Sequence, residues 1–206
     1  MSFDVWVAFV AASAILTLIP GPCVLLLIGQ SLSRGIKPAF SSIIGVLIGD
    51  ILLIILSLLG VGAILAASAA LFQLVKWAGV FYMAYLGICQ IVDARRGAKP
   101  VSKQNHPAFM FGSLRAGFFS AVLNPKGVMF YMAFLSQFVN PNGNMVLQIS
   151  ILSITSTIVV GVILAAYVMM ANRARVAFQS EKTRKKIGYA GGGFLIGGSV
   201  LMATTR

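Results

Sequence analysis

Two charged side chains lie near the middle of apolar stretches of the sequence. Asp50 is the single acid in such a position, and Lys126 is the single base near the middle of a stretch. A charge at the centre of a bilayer costs about 2.5–3.5 kcal/mol on insertion scales, so an intramembrane charge indicates a functional site by default. Asp50 could bind the ammonium group of a solute or carry a proton. The alternatives are that Asp50 pairs with Lys126 or caps a broken helix, and that Lys126 extends to a membrane interface.

Two proline-containing motifs interrupt apolar stretches, Pro20-Gly21-Pro22 and Asn124-Pro125-Lys126. Proline inside a helix removes a backbone donor and clashes with the preceding turn. The residue ahead of the last proline, Gly21 or Asn124, can serve as the N-cap of a new helix with proline at its first position. A helix that starts inside a membrane presents free N–H groups and partial positive charge, which suit a carboxylate. The alternative is that the prolines only kink helices for packing.

Cys23 follows Pro22 directly, which invites the hypothesis of a membrane thiol-redox carrier. A symmetric carrier would have its second cysteine at the matching motif, where the sequence has Lys126 instead. Cys23 is therefore interpreted as a small apolar residue. The only histidine, His106, has no metal-ligand partners in the sequence, so neither a metal nor another cofactor is expected.

The segments that carry these residues are predicted to lie in a membrane. The chain has 206 residues, of which 59% are hydrophobic and only 10% are charged, and its mean hydropathy is +0.95. A soluble domain has roughly a quarter charged residues, so a soluble enzyme, a secreted disulfide protein and a disordered tail are excluded. The net charge of +12 could indicate nucleic-acid binding, but membrane topology explains it, and no nucleic-acid partner is expected.

Six apolar segments are long enough to cross about 30 Å of hydrocarbon as helices. They are too long for barrel strands, and helices satisfy their own backbone hydrogen bonds in lipid. The predicted fold is therefore an all-α membrane protein with six transmembrane helices in a single domain, 1–206. The approximate bounds of the six segments are 5–28, 39–65, 68–92, 113–138, 145–171 and 187–204.

Basic residues cluster in alternate loops. The loops after the first, third and fifth segments hold 13 of the 16 bases, whereas those after the second and fourth hold none. The positive-inside rule then places the odd loops in the cytoplasm and both termini outside.

The two interruptions fall in the first and fourth segments, one three-helix unit apart. Because each unit has an odd number of spans, the two units must have opposite orientations. Paired interrupted segments of this kind are typical of a transporter built from an inverted repeat, with its binding site at the midplane. The expected division is repeat one at about 1–92, a cytoplasmic loop at about 93–112 and repeat two at about 113–206.

Several motifs, in this order and spacing, resemble the LysE/RhtB family of amino-acid exporters along nearly the whole chain. Gly49-Asp50 resembles the leucine-exporting branch, whereas Cys23 stands where the family often has asparagine. The similar motifs are Leu18-Ile19-Pro20-Gly21-Pro22, then Gly35, Gly45 and Gly49, then Gly79-Val80-Phe81-Tyr82-Met83-Ala84-Tyr85-Leu86-Gly87, and finally Asn124-Pro125-Lys126 with Phe130 and Gln137-Phe138.

The resemblance implies proton-driven efflux of neutral or basic amino acids across the bacterial cytoplasmic (inner) membrane, and no enzymatic activity. Neutral substrates such as leucine, homoserine or threonine are favoured. The substrate-binding residues expected from the two motifs and the buried acid are Pro20, Gly21, Pro22, Asp50, Asn124, Pro125 and Lys126, with Asp50 also coupling protons. The alternatives are the thiol-redox carrier, a passive small-solute channel and a scaffold subunit. The glycine-rich helices could pack within one chain or between two, so a homodimer stays open.

Overall fold

The protein is all-helical over the residues that its computed structural model describes, which are 1–59, 69–95, 107–131, 135–140, 142–177 and 181–204. We number the helices in chain order. In the described part of the chain they are α1 (Phe3–Leu18), α2 (Pro22–Arg34), α3 (Ile36–Leu58), α4 (Ala69–Arg95), α5 (Pro107–Val122), α6 (Pro125–Met129), α7 (Met145–Ala177) and α8 (Glu181–Thr204). A 3-10 turn lies at Leu135–Phe138.

Two of the described helices are individually long and apolar enough to cross a bilayer, over Ile36–Ser57 in α3 and Met145–Arg175 in α7. A third qualifies if α1 and α2 are one span, bent by 54° at the break between them. Every predicted segment corresponds to one helix or to one interrupted pair of helices. The arrangement of all six as transmembrane spans remains a prediction.

Several helix ends differ from the predicted boundaries. The first two segments were expected to stop at 28 and restart at 39, but α2 reaches Arg34 and α3 begins at Ile36. Gly35 alone connects them, with a φ of 97°. This backbone conformation is accessible to glycine at little cost and closes a helix within one residue. The loop expected at 93–112 is also shorter, since α4 ends at Arg95 and α5 begins at Pro107, and the residues between them lie outside the described part.

Helices α3 and α5 pack with their backbones in contact. A Cβ atom at Gly45 would overlap the carbonyl oxygen of Leu114, and one at Gly117 would overlap that of Ser42. Ser42 Oγ donates a hydrogen bond to the carbonyl of Ser113 at 2.6 Å. Small residues permit this close approach, and the hydroxyl then bonds across the two helices. The α3–α5 contact therefore fixes Asp50, on α3, relative to the helix that leads into the second motif.

Helices α4 and α8 meet through a reciprocal glycine contact. A Cβ at Gly87 would lie 2.8 Å from the carbonyl oxygen of Gly192, and one at Gly192 would lie 2.7 Å from that of Gly87. Each glycine also faces the isoleucine four residues beyond the other, Ile196 or Ile91. The same contact made in both directions indicates a local two-fold relation between these two helices.

Candidate substrate pocket

The first break in a helix separates α1 from α2. Helix α1 ends at Leu18, and the Ile19 N–H still reaches back to the carbonyl of Ile15 at 3.2 Å. The backbone then becomes extended at Gly21, the N-cap residue, and α2 starts with Pro22. Proline is favoured at this first position because its missing N–H would have no partner there anyway. Apolar residues continue on both sides, so the break is set locally by Pro20-Gly21-Pro22.

The second break separates α5 from α6 and begins the same way. Asn124 is the N-cap residue and Pro125 takes the first helical position. The side-chain oxygen of Asn124 accepts a hydrogen bond from the Lys126 N–H at 3.2 Å. Unlike α2, which has 13 residues, α6 has only five. The second break thus reorients the chain and presents Lys126 without starting a long helix.

The two breaks are in contact with each other. Lys126 Nζ donates hydrogen bonds to the carbonyl oxygens of Leu16 and Ile19, both at 2.6 Å, at the end of α1. The carbonyls at a helix C-terminus lack partners within the helix and carry partial negative charge, so an ammonium group satisfies them well. Gly21 lies beside this contact, since a Cβ built there would be 3.5 Å from Lys126 Nζ.

Cys23 connects the breaks from the other direction. Its thiol donates a hydrogen bond to the carbonyl of Ser120 at 3.3 Å, and its sulfur lies 3.5 Å from Asn124 Nδ2, which donates to it. Cys23 is buried, as expected for a small apolar residue, but it also has these polar contacts. Cys23 and the chain's second cysteine, Cys89, form no disulfide, and the described residues contain no group of His, Cys, Asp or Glu that could hold a metal ion.

A pocket of about 450 Å³, counting the space at its open mouth, lies between the two breaks and helices α3 and α7. Its polar lining comes from Thr17, Asp50, Asn124, Lys126 and Tyr131, and also includes the Cys23 thiol. The apolar part of the wall belongs to Leu16, Val24, Val46, Val160 and Leu164. Both a carboxylate and an ammonium group therefore line one small and otherwise largely apolar cavity.

Asp50 is half-buried on α3 and interacts with the Tyr131 hydroxyl. Tyr131 is 3% exposed, and its hydroxyl lies 2.7 Å from Ser156 Oγ on α7. The hydrogen bonds of the Lys126 ammonium go to Leu16 and Ile19 and not to Asp50. The two charges of the pocket thus have separate polar neighbours.

The structure places four of the seven expected binding residues on the pocket wall, namely Gly21, Asp50, Asn124 and Lys126. Pro20, Pro22 and Pro125 are not among the lining residues. Pro22 and Pro125 instead occupy the first positions of α2 and α6. Sequence reasoning missed Tyr131. The available signal was a hydroxyl-bearing aromatic residue in an apolar stretch shortly after Pro125, which by itself is typical of packing or of an interface.

Comparison with known proteins identifies the family. The LysE type translocator family matches residues 14–204. The chain is 28% identical, over the full length of both proteins, to an uncharacterized membrane protein of Vibrio cholerae serotype O1. It is 29% identical to a homoserine/homoserine lactone efflux protein of Salmonella typhimurium, an alignment that covers all of this chain and 99% of the relative. No solved structure matches the chain. These matches indicate a transporter rather than an enzyme, and the chain, a membrane protein, belongs to the LysE type translocator family.

Proposed function

We propose that this protein is a secondary exporter of small neutral amino acids and that the pocket between the two breaks is its substrate site. The observation that carries the proposal is the pairing of Asp50 and Lys126 on one cavity wall, brought there by segments far apart in the chain. A zwitterionic amino acid needs one anionic and one cationic partner at short range. Since the two side chains do not use each other as hydrogen-bond partners, both can face a solute.

In the proposed complex, the ammonium group of the substrate lies against Asp50 and its carboxylate against Lys126 and the start of α2. Helix α2 is long enough to present free N–H groups and the positive end of its dipole beside Gly21. At the second break, by contrast, the Lys126 N–H is already bonded to Asn124. The positive charge of Lys126 therefore contributes more there than the start of the short α6.

The walls favour a neutral side chain. Val24, Val46, Val160 and Leu164 surround the cavity, and Asp50 is the only acidic residue among those lining it. A second cationic group on the substrate would enter this cavity without a carboxylate partner, and burying an unpaired charge is costly. Neutral amino acids such as homoserine, threonine or leucine fit this description, and the Salmonella relative is named for homoserine and its lactone.

We further propose six spans arranged as an inverted repeat in the bacterial inner membrane, with both termini outside. The distribution of bases among the loops favours this orientation. The two helix starts at Pro22 and Pro125, and the reciprocal contact between Gly87 and Gly192, support the relation between the halves. Alternating access would then consist of one three-helix unit rocking against the other around the pocket.

Asp50 is the proposed site of proton coupling. A carboxylate in this mostly apolar cavity can exchange a proton for a substrate ammonium group, because each of them neutralises its charge. Efflux of the amino acid and inward return of a proton would then use the same side chain in alternation. This role needs Asp50 to be accessible from the pocket, and Asp50 is a half-buried residue that lines it.

The test is transport of homoserine, threonine and leucine by purified protein in proteoliposomes with an imposed pH gradient. Asp50→Asn should abolish stimulation of efflux by the gradient, because an amide cannot exchange a proton in this range. Asp4→Asn is the matched control, since Asp4 lies exposed in the first turn of α1, away from the pocket. Full proton-coupled efflux by the Asp50→Asn protein would rule out the coupling role. Flux without saturation in the wild type would instead indicate a passive channel.

A further inference from the structure

We propose that Tyr131 is a positioning residue that holds the Asp50 carboxylate in one orientation, and that Ser156 in turn holds Tyr131. The inference rests on the proposed role of Asp50 and deepens it. It assigns a role to a residue that neither of the sequence motifs includes, and it connects the pocket to α7.

Tyr131 is held at both of its ends. Its backbone carbonyl accepts a hydrogen bond from Ser57 Oγ on α3. Its hydroxyl lies 2.7 Å from Ser156 Oγ on α7, and the side chain is almost fully buried, with its ring 5.2 Å from that of Phe130. Ser156 and the packing of the ring give the hydroxyl one position, which lies on the wall of the pocket that Asp50 also lines, within reach of its carboxylate.

The direction of the hydrogen bonds follows from the donors available. The Tyr131 hydroxyl has a single proton, and an ionised carboxylate can only accept. In the proposed arrangement Tyr131 donates to Asp50 and Ser156 Oγ donates to the Tyr131 oxygen, which is one of the two directions that the contact between the two hydroxyls allows. Ser156 is only 1% exposed, so water does not replace Tyr131 as the partner of its hydroxyl. The result is a hydrogen-bond series that runs from Ser156 through Tyr131 to Asp50.

This hydrogen-bond series has two consequences for the site. It engages one carboxylate oxygen of Asp50 and leaves the other for the ammonium group of the substrate, which fixes where that group binds. It also favours the charged form of Asp50, because a donor to a carboxylate stabilises the anion. The other titratable groups that line the pocket with Asp50 and Tyr131 are Cys23 from α2 and Lys126 from α6, and neither is part of the hydrogen-bond series.

The experiment compares Tyr131→Phe with Ser57→Ala. The first variant removes only the hydroxyl and keeps the buried ring. The second removes the other hydrogen bond of Tyr131, to its backbone, and leaves the hydroxyl in place. One readout is the KM for efflux in proteoliposomes. The other is the pH dependence with which a hydrophobic carbodiimide labels Asp50, measured by mass spectrometry, since this reagent reacts with protonated carboxyl groups whether or not transport occurs.

For Tyr131→Phe we expect the labelling midpoint to move up by about one pH unit and the KM to rise by up to about tenfold, the size of effect that corresponds to one hydrogen bond. Ser57→Ala should change the KM by no more than about twofold and the labelling midpoint by no more than about 0.3 pH unit. Ser156→Ala should shift the labelling midpoint in the same direction by less. It also keeps the inference testable if Tyr131→Phe does not fold.

An unchanged midpoint and KM in Tyr131→Phe would overturn the inference, and so would an equal shift in Ser57→Ala, which would indicate a purely structural role. The two proposals fail separately. A shifted labelling midpoint in a protein that exports no amino acid would keep the positioning role and refute the proposed function. Proton-coupled efflux with unshifted labelling would do the reverse.

Discussion

Replacing Gly45 by alanine tests the contact that positions Asp50. The added Cβ would overlap the carbonyl oxygen of Leu114 and lie 2.8 Å from the backbone nitrogen of Phe118. Both of these are backbone atoms, so no change of side-chain rotamer can relieve the overlap. Helices α3 and α5 must separate, and the hydrogen bond from Ser42 Oγ to the carbonyl of Ser113 must lengthen from 2.6 Å.

Three terms set the size of the effect on the free energy of unfolding. Overpacking a close contact costs about 1–3 kcal/mol. A weakened hydrogen bond between membrane helices adds about 0.6 kcal/mol. Alanine in place of glycine inside a helix returns about 1 kcal/mol. Because the clash is with backbone atoms, the upper part of the overpacking range applies, and we expect a net destabilisation of about 2 kcal/mol.

Gly112→Ala is the matched control, since Gly112 lies on the partner helix α5 and no atom lies within 4 Å of a Cβ built there. Only the helix-propensity term applies to it, so it should be neutral or more stable by up to about 1 kcal/mol. Unfolding in mixed detergent micelles with increasing SDS, followed by circular dichroism, measures both variants. Equal stability of Gly45→Ala and Gly112→Ala would refute the argument that the α3–α5 backbones are in contact.

Two further predictions concern the breaks. Lys126→Met should raise the KM for amino-acid efflux at least tenfold, since a charge-assisted hydrogen bond to the carboxylate is worth about 1.5 kcal/mol or more. Lys126→Arg should retain most of the affinity. A wild-type KM in the methionine variant would contradict the proposed role. Cys23→Ser should keep the rate of efflux within about twofold of the wild-type rate, because a hydroxyl can take over the contacts with Ser120 and Asn124. If the variant instead loses a thiol-dependent electron transfer, measured with a membrane-permeant disulfide, the redox carrier is favoured.

The sequence predicted the helix starts because they depend on neighbouring residues. A proline in an apolar stretch stops the preceding helix, and the residue ahead of it has little choice but to be the N-cap. The structure begins α2 at Pro22 and α6 at Pro125, with Gly21 and Asn124 as the caps. The predicted ends of the first segments were less accurate, because hydropathy does not register a single left-handed glycine such as Gly35.

The contacts across the pocket were beyond the reach of the sequence. Lys126 was expected to act on a solute carboxylate, to pair with Asp50 or to extend to an interface, and its bonds to the carbonyls of Leu16 and Ile19 were not foreseen. These partners are more than 100 residues away along the chain, and only the folded arrangement determines which carbonyls an ammonium group meets. The same reason explains why Tyr131 was missed, since its significance lies in Ser156 and Asp50 and not in its neighbours in the sequence.

The two breaks are alike in backbone but differ in chemistry, and this difference matters for a site that binds a zwitterion. Cys23 and Lys126 both follow the last proline of their motif, and each donates to a carbonyl of the helix that precedes the other break, at Ser120 or at Leu16. A thiol is a weak, neutral donor and an ammonium group is a strong, charged one. Two equal residues would offer the two ends of an amino acid no preference. With the positive charge on one break and Asp50 on α3, only one orientation of the substrate pairs both of its charges.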